Sequence, residues 1–164
     1  MNLNKTFLIA FAVAIGCIAL VVAGVLYMQR GAHIDLPGKI LKIRTAPLDE
    51  NSSIVVFDFR ITNPADYAFV VRTVTVAMED AAGNSADGMV VSEADAKQLF
   101  AALPVLGQKY NDTLILRDKI PPHTTEDRMV AARFEVPEAK LNSRKRFVIT
   151  VEEVDGKVVE YTDK

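Results

Sequence analysis

The sequence predicts a mainly β protein, an antiparallel β-sandwich of seven or eight strands with one inserted helix, preceded by an N-terminal transmembrane helix. Three observations lead to this class. A long apolar run lies near the N-terminus, apolar residues alternate with polar ones along most of the remaining chain, and turn residues interrupt that alternation at nearly regular intervals. A chain of 164 residues is long enough for one folded domain and one anchor.

The apolar run extends from Phe7 to Tyr27 and contains no charged residue. As a helix it would be roughly 31 Å long, about the thickness of the hydrocarbon layer of a bilayer. It is longer than the apolar part of most cleaved signal peptides, and no small-residue cleavage site follows it. We therefore predict an uncleaved anchor with the lipid bilayer as its partner. Cys17 is interpreted as an apolar residue of this anchor, although a loose lipobox at residues 14–17 leaves acylation as the alternative.

The anchor divides the chain into three predicted parts. These are the tail and transmembrane signal anchor over residues 1–28, a tether over 29–38, and the β-sandwich domain over 39–164. A count of positive residues on the two sides of the anchor would place the domain in the cytoplasm. The short tail that carries Lys5 instead has the form of an export signal, so we expect an extracytoplasmic domain, periplasmic or on the cell surface.

Period-two alternation defines the strands. The clearest covers residues 53–62, where one face holds four apolar residues and the other holds two charges, which predicts a half-buried strand. Residues 69–79 form another, and Arg72 on its apolar face predicts a bulge or an edge position. Asp155 and Gly156 predict the type I′ turn of a hairpin. Further strands are predicted over 39–44, 88–91, 113–118, 129–136, 146–154 and 157–162. Their spacing favours an immunoglobulin- or fibronectin-III-like sandwich.

One helix interrupts this β pattern. Ser92 is a favourable N-cap residue, and the acidic residues that follow it suit the positive end of a helix. Leu99, Phe100 and Leu103 form an apolar stripe on the predicted helix. We expect these three side chains to cap one end of the sandwich core, or alternatively to form a surface that contacts a partner protein.

Composition excludes several classes of function. A net charge of −2 does not fit a protein that binds nucleic acid through its overall charge. One Cys excludes an internal disulfide framework and a multi-Cys zinc site, and two His leave little for a histidine metal site. Ser92 and His123 stand in no known catalytic motif, and the acidic pairs Asp49–Glu50 and Glu79–Asp80 match no dedicated calcium loop. We therefore predict no enzyme activity, no cofactor and no metal.

Two segments carry a resemblance to a known family. The strand that ends in Asn63 and Pro64, together with the Val-rich strand after it, resembles the late-embryogenesis-abundant type-2 domain, a water-stress and hypersensitive-response sandwich. The segment Pro121-Pro122-His123-Thr124-Thr125 resembles a later Pro-containing turn of that family. This resemblance implies a stress-protective or small-ligand-binding module. The overall layout is also similar to bacterial membrane-anchored immunoglobulin-like proteins.

The function expected from the sequence is therefore that of a non-enzymatic protein-interaction or structural module of the cell envelope, held at the membrane by a single span. The alternative is the stress-protective or ligand-binding role that the family resemblance implies.

Overall fold

The computed structural model of the protein describes residues 5–29 and 36–163. Residues 1–4 of the predicted tail, residues 30–35 of the predicted tether and residue 164 lie outside the described part of the chain. The chain divides into two compact units, Met1–His33 and Ile34–Lys164. Each unit is described by itself below.

The first unit contains one helix, α1, over Lys5–Gln29. It has no acidic residue in its first turn and no basic residue in its last. Its described side chains, including that of the free Cys17, are exposed. Among the residues that the structure describes, no helix is both long and apolar enough to cross a membrane. The predicted transmembrane helix is therefore not supported by the structure.

The second unit, which we call the body, is built mainly from strands. The described residues of the body form nine strands, two α-helices and one 3₁₀ turn. The strands are β1 Gly38–Pro47, β2 Ser53–Asn63, β3 Phe69–Glu79, β4 Ser85–Val90, β5 Asp112–Thr113, β6 Lys119–Ile120, β7 Thr124–Phe134, β8 Arg146–Glu153 and β9 Val158–Thr162. The helices are α2 Glu93–Ala102 and α3 Glu138–Asn142, and the 3₁₀ turn covers Pro104–Leu106.

The strands follow one continuous hydrogen-bonded order, β1-β2-β7-β4-β3-β8-β9, in which all neighbours are antiparallel. The two-residue β5 adds to β7 in parallel, and β6 adds to β3. β4 pairs first with β3, up to Val76 and Gly88, and then with β7 at Met89 and Val90. The predicted mainly antiparallel sandwich is confirmed. In the immunoglobulin arrangement the two sheets share no strand, whereas here β4 belongs to both layers.

The main core lies between the layer β1-β2-β7 and the layer β3-β8-β9. Its centre is aromatic: the rings of Phe57 and Phe147 meet edge to face with centroids 5.0 Å apart, and Phe134 packs beside them. The inner face predicted for β2 is confirmed by this packing. Leu36, which the sequence placed in the tether, is buried in the same core, and its carbonyl accepts a hydrogen bond of 3.0 Å from the Tyr161 hydroxyl.

A second apolar cluster lies on the outer face of β1-β2-β7. It joins Ile54 and Val56 of β2 to Met129 of β7, Ala96 of α2 and Leu106 of the 3₁₀ turn. The expectation that β2 is half-buried is therefore wrong over this stretch, because residues that should face solvent are covered by α2 and the turn after it. The helix begins after Ser92 as predicted, but it lies over a face of the sheet rather than over one end of the core.

Three local predictions from the sequence can be compared with the structure. The predicted bulge in β3 is confirmed by a register shift between Val71 and Thr73. The strand expected over 113–118 is reduced to the two residues of β5, since the chain then turns and Arg117 adopts a positive φ of 69°. The β8–β9 hairpin forms, but the type I′ turn is wrong. That turn needs positive φ at both central residues, and in this hairpin only Gly156 has it, with φ of 86°.

Gly88 provides a test of the packing beneath β4. A Cβ atom at this position would lie 2.6 Å and 2.8 Å from two ring atoms of Phe134. We expect Gly88→Ala to lower the free energy of unfolding by about 1–3 kcal/mol, the usual cost of overpacking, as measured by urea denaturation. Phe134→Leu should recover part of this loss when combined with Gly88→Ala. An unchanged denaturation midpoint for Gly88→Ala would show that the ring can move aside freely.

Candidate functional site

The candidate site is built on the segment that covers the outer face of β1-β2-β7. We call residues 92–113 the cover; they comprise α2, the 3₁₀ turn and the loop that leads into β5. Arg44 of β1 and Asp58 of β2 form a buried ion pair beneath it, with Nη2 of Arg44 2.7 Å from Oδ2 of Asp58. Nη1 of Arg44 also donates to the carbonyl oxygens of Leu106, at 2.6 Å, and Gln108, at 2.8 Å.

The loop of the cover completes this arrangement. The Asn111 side-chain amide donates to the second carboxylate oxygen of Asp58 at 2.9 Å. The Arg44 guanidinium carbon lies 4.9 Å from the ring centroid of Phe100 and 5.7 Å from that of Tyr110. Cation–π attraction of this kind is strongest where the charge is shielded from water. One buried guanidinium therefore contacts the helix, the 3₁₀ turn and the loop together.

Glu93 fixes the other side of the cover. Its carboxylate accepts a hydrogen bond of 3.1 Å from the Thr113 backbone N–H and lies 3.1 Å from the Lys109 ammonium. Partial burial raises the pKa of Glu93, but the hydrogen bonds from Thr113 and Lys109 outweigh it and lower the pKa to about 2. The first turn of α2 is thus joined to the end of the loop by a carboxylate that stays ionised at neutral pH.

The predicted contact residues Leu99, Phe100 and Leu103 lie together on the cover. All three are half-buried, and they pack against the second apolar cluster. Val105 and Tyr110, which the sequence analysis did not single out, are 74% and 64% exposed. These five residues are called the apolar patch. Val105 belongs to the 3₁₀ turn whose Leu106 carbonyl accepts a hydrogen bond from Arg44. The rings of Tyr110 and Phe100 both lie near the Arg44 guanidinium.

The acidic pairs weighed as calcium sites act as local structure instead. Asp49 accepts hydrogen bonds from the Asn51 N–H, at 2.8 Å, and from the Ser52 hydroxyl. Glu79 is paired with Lys145 and Arg146, and Asp80 accepts bonds from its own turn. Within residues 5–29 and 36–163, no group of three or more His, Cys, Asp or Glu side chains is placed to hold a metal ion.

The other polar residues considered for a functional role also contact side chains or backbone close to them. Residues 144–146 are three consecutive basic residues. Arg144 is paired with Asp163 at 2.6 Å and lies over the Phe147 ring, and Lys145 and Arg146 are paired with Glu79. The Ser92 hydroxyl accepts from the Asp95 N–H as the helix cap. His123 is 2.9 Å from Asp66 on an exposed turn.

Comparison with known proteins gives neighbours in structure only. No family model matches the chain, and no curated protein matches it. An ApaG protein from Pseudomonas aeruginosa is 13% identical, with 71% of this chain and 92% of that chain covered and a TM-score of 0.36. An uncharacterised β-sandwich protein from Clostridium difficile is 16% identical, with 80% and 82% covered and a TM-score of 0.31. The Iho670 flagellar-like filament is 9% identical, with 98% of both chains covered and a TM-score of 0.33.

These TM-scores are too low to transfer an activity, a ligand or an assembly to this chain. The comparisons are consistent with a β-sandwich and go no further. The resemblance to the late-embryogenesis-abundant type-2 domain is not supported, because no family model matches. Asn63, the residue before Pro64 in that resemblance, has a structural role: its side-chain amide donates to the carbonyls of Tyr67 and Ile120 and holds the turn after β2.

The buried ion pair can be tested by removing one partner. Asp58→Ala leaves the Arg44 charge buried without compensation, and we expect a loss of about 3–5 kcal/mol in the free energy of unfolding. The double variant Arg44→Met with Asp58→Leu removes both charges and should recover a large part of this loss. Urea denaturation of the three variants measures both effects. A cost below about 1 kcal/mol for Asp58→Ala, typical of a surface pair, would contradict the proposed burial.

The low pKa of Glu93 predicts a dependence of stability on pH. A carboxylate whose pKa falls on folding stabilises the fold above its ordinary value of 4.5, and that contribution is lost as the pH falls toward about 2. We expect Glu93→Gln to cost about 1–2 kcal/mol at neutral pH, and the difference from the natural chain to shrink through this acid range. Denaturant unfolding at a series of pH values measures the difference. Glu160→Gln, at an exposed carboxylate of β9, is the control.

Proposed function

We propose that this chain is a non-enzymatic β-sandwich protein whose apolar patch binds a partner protein. The observation that carries the proposal is the exposure of Val105 and Tyr110 on a segment that is fixed from below by Arg44 and Glu93. Exposed apolar side chains on a rigid support lose little conformational freedom when a partner covers them, so most of the burial contributes to affinity.

The composition of the patch supports a protein as its ligand. Aromatic residues with little conformational freedom are enriched where binding energy concentrates in protein interfaces, and Tyr is prominent among them. Lys42 lies at the rim, with its ammonium 5.9 Å from the Tyr110 ring centroid. Among the described residues, Lys42 has no carboxylate partner. The complementary surface would therefore be apolar at its centre and acidic at the edge that meets Lys42.

A binding role also suits the state of the polar side chains. Ser92 and Glu93 are engaged in the structure of the cover, and Arg44 and Asp58 are buried beneath it. General acid–base catalysis uses a positioned side chain whose pKa lies near the operating pH, whereas the pKa of Glu93 is lowered to about 2. The polar groups closest to the apolar patch serve instead to hold its support in place.

The proposal includes attachment of the body to a membrane through Phe7 to Tyr27, with the body outside the cytoplasm. The support for this part is the sequence, because the run contains no charged residue, and the described side chains of α1 are exposed within the chain. Such a surface is stable only when lipid or protein covers it. Attachment would keep the body in the envelope, where its partner would also lie.

Binding by the apolar patch is tested with Val105→Asp. Because Val105 is exposed, we expect the variant to fold with an unchanged unfolding midpoint and to lose most of the partner that cross-links to the full chain in native membranes. Phe100→Asp should reduce both stability and binding, since Phe100 also contacts the second cluster. Met89→Asp is the matched control, an equally exposed apolar residue on β4. Equal loss of cross-linking in Val105→Asp and Met89→Asp would refute the assignment of this surface.

Membrane attachment is tested on the full chain by alkaline carbonate extraction. An integral anchor predicts that the chain stays in the membrane pellet, and that replacing Leu20 and Val21 together by Lys releases it, because two charges in the apolar layer cost several kcal/mol. Recovery of the unaltered full chain in the aqueous fraction as a monomer would exclude the anchor. Recovery there as a larger assembly would show that copies of α1 cover one another instead.

A further inference from the structure

A second surface opens where β3 and β4 separate. The two strands pair from Glu79 and Ser85 up to Val76 and Gly88. In the same register Val74 would face Val90, but Val90 pairs with Ala132 of β7 instead. The strands therefore fork, and the space between them is a groove of about 290 Å³ lined by residues 72–74, 90–92 and 114–116. We call it the fork groove.

One side of the fork groove is strand backbone without a partner. On the side of β3 that faces away from β8, the pairing with β6 ends at Val70 and the pairing with β4 begins at Val76. Val71 is bonded to the chain at Arg117 and Asp118. Within the described part of the body, residues 72–75 have no strand beside them on this side. Backbone donors and acceptors left open along a strand form a template for pairing with another chain.

The other walls are apolar. Val74 and Val90 are half-buried across the groove from each other, and Ile115 and Leu116 close one end with side chains that are 42% and 61% exposed. Added strands gain affinity from main-chain hydrogen bonds and specificity from pockets that take alternate side chains. The fork groove supplies both features, since open main-chain groups along β3 lie beside apolar side chains.

One cationic side chain, that of Arg72, lines the groove. Arg72 makes only an exposed ion pair of 3.2 Å with Glu152, which contributes little in water. A carboxylate on the incoming strand would therefore compete with Glu152 for the Arg72 guanidinium, which lines the groove.

We propose that the fork groove binds an extended segment of a partner protein as an added strand along residues 72–75 of β3. The segment carries apolar side chains at alternate positions, which enter the groove between Val74 and Leu116, and a carboxylate beside Arg72. This site is separate from the apolar patch, and it lies in the body alone. It does not depend on membrane attachment.

The probe is the acetylated and amidated pentapeptide Thr-Val-Glu-Val-Thr, added at millimolar concentration to the full chain. Amide hydrogen exchange is measured residue by residue. In the free chain, the amides of residues 72–75 that point into the groove should exchange faster than those of residues 76–79, which are paired on both sides. The peptide should slow those amides several-fold and leave the amides of β9 unchanged. Full protection of residues 72–75 in the free chain, or no slowing with peptide, overturns the proposal.

Two substitutions separate this site from the apolar patch. Leu116→Glu places a carboxylate at the exposed end of the groove and should reduce peptide affinity about tenfold or more, while Val158→Glu, an exposed apolar position on β9, should leave it unchanged. Val105→Asp should also leave peptide affinity unchanged even where it abolishes cross-linking of the partner. Equal affinity for Leu116→Glu and Val158→Glu would show that the peptide binds elsewhere.

Discussion

The buried charge of Arg44 is the constraint on which the organisation of the body depends. A buried guanidinium is costly unless its donors find acceptors. Nη1 and Nη2 of Arg44 find them in two carbonyls of the cover and in Asp58 of the adjacent strand, whereas Nε is buried without a hydrogen-bond partner among the described residues. The hydrogen bonds from Arg44 to the two carbonyls form only when the 3₁₀ turn lies on the sheet. Once the turn is in place, α2 must cover the outer face of β2, and that face becomes a second core.

This arrangement explains why the candidate surface lies where it does. The residues that face inward from the cover stabilise the fold, and those that face outward from the same short segment, Val105 and Tyr110, are left to solvent. A free loop would present such side chains in many conformations. The anchored segment presents them in one, which lowers the entropic cost of binding. The stability of the fold beneath the cover and the proposed binding of a partner above it therefore depend on the same residues and their immediate neighbours in sequence.

Much of the fold follows from local patterns, because period-two alternation and helix capping depend on residues close together in the chain. The inner face of β2, the bulge at Arg72, the start of α2 and the β8–β9 hairpin were predictable for this reason. The burial of Val56 and Asp58 was not, since it depends on a segment about forty residues later folding over them. Leu99, Phe100 and Leu103 could be recognised as one apolar stripe. Val105 lies in a turn without periodicity, and the fork groove depends on how β4 is shared between two layers.

The burial of β2 on both faces has a consequence for synthesis of the chain. Ser53 to Phe59 are all buried, yet the strand that covers one edge of β2 ends only at Phe134, which pairs with Ser53. A ribosome releases β1 and β2 long before β7 exists, so the nascent hairpin presents apolar surface on both sides while the intervening residues are still being made. Contacts between such distant segments form slowly and leave intermediates open to aggregation. We therefore expect the β1–β2 hairpin to be the part of the nascent chain that is open to aggregation until β7 emerges.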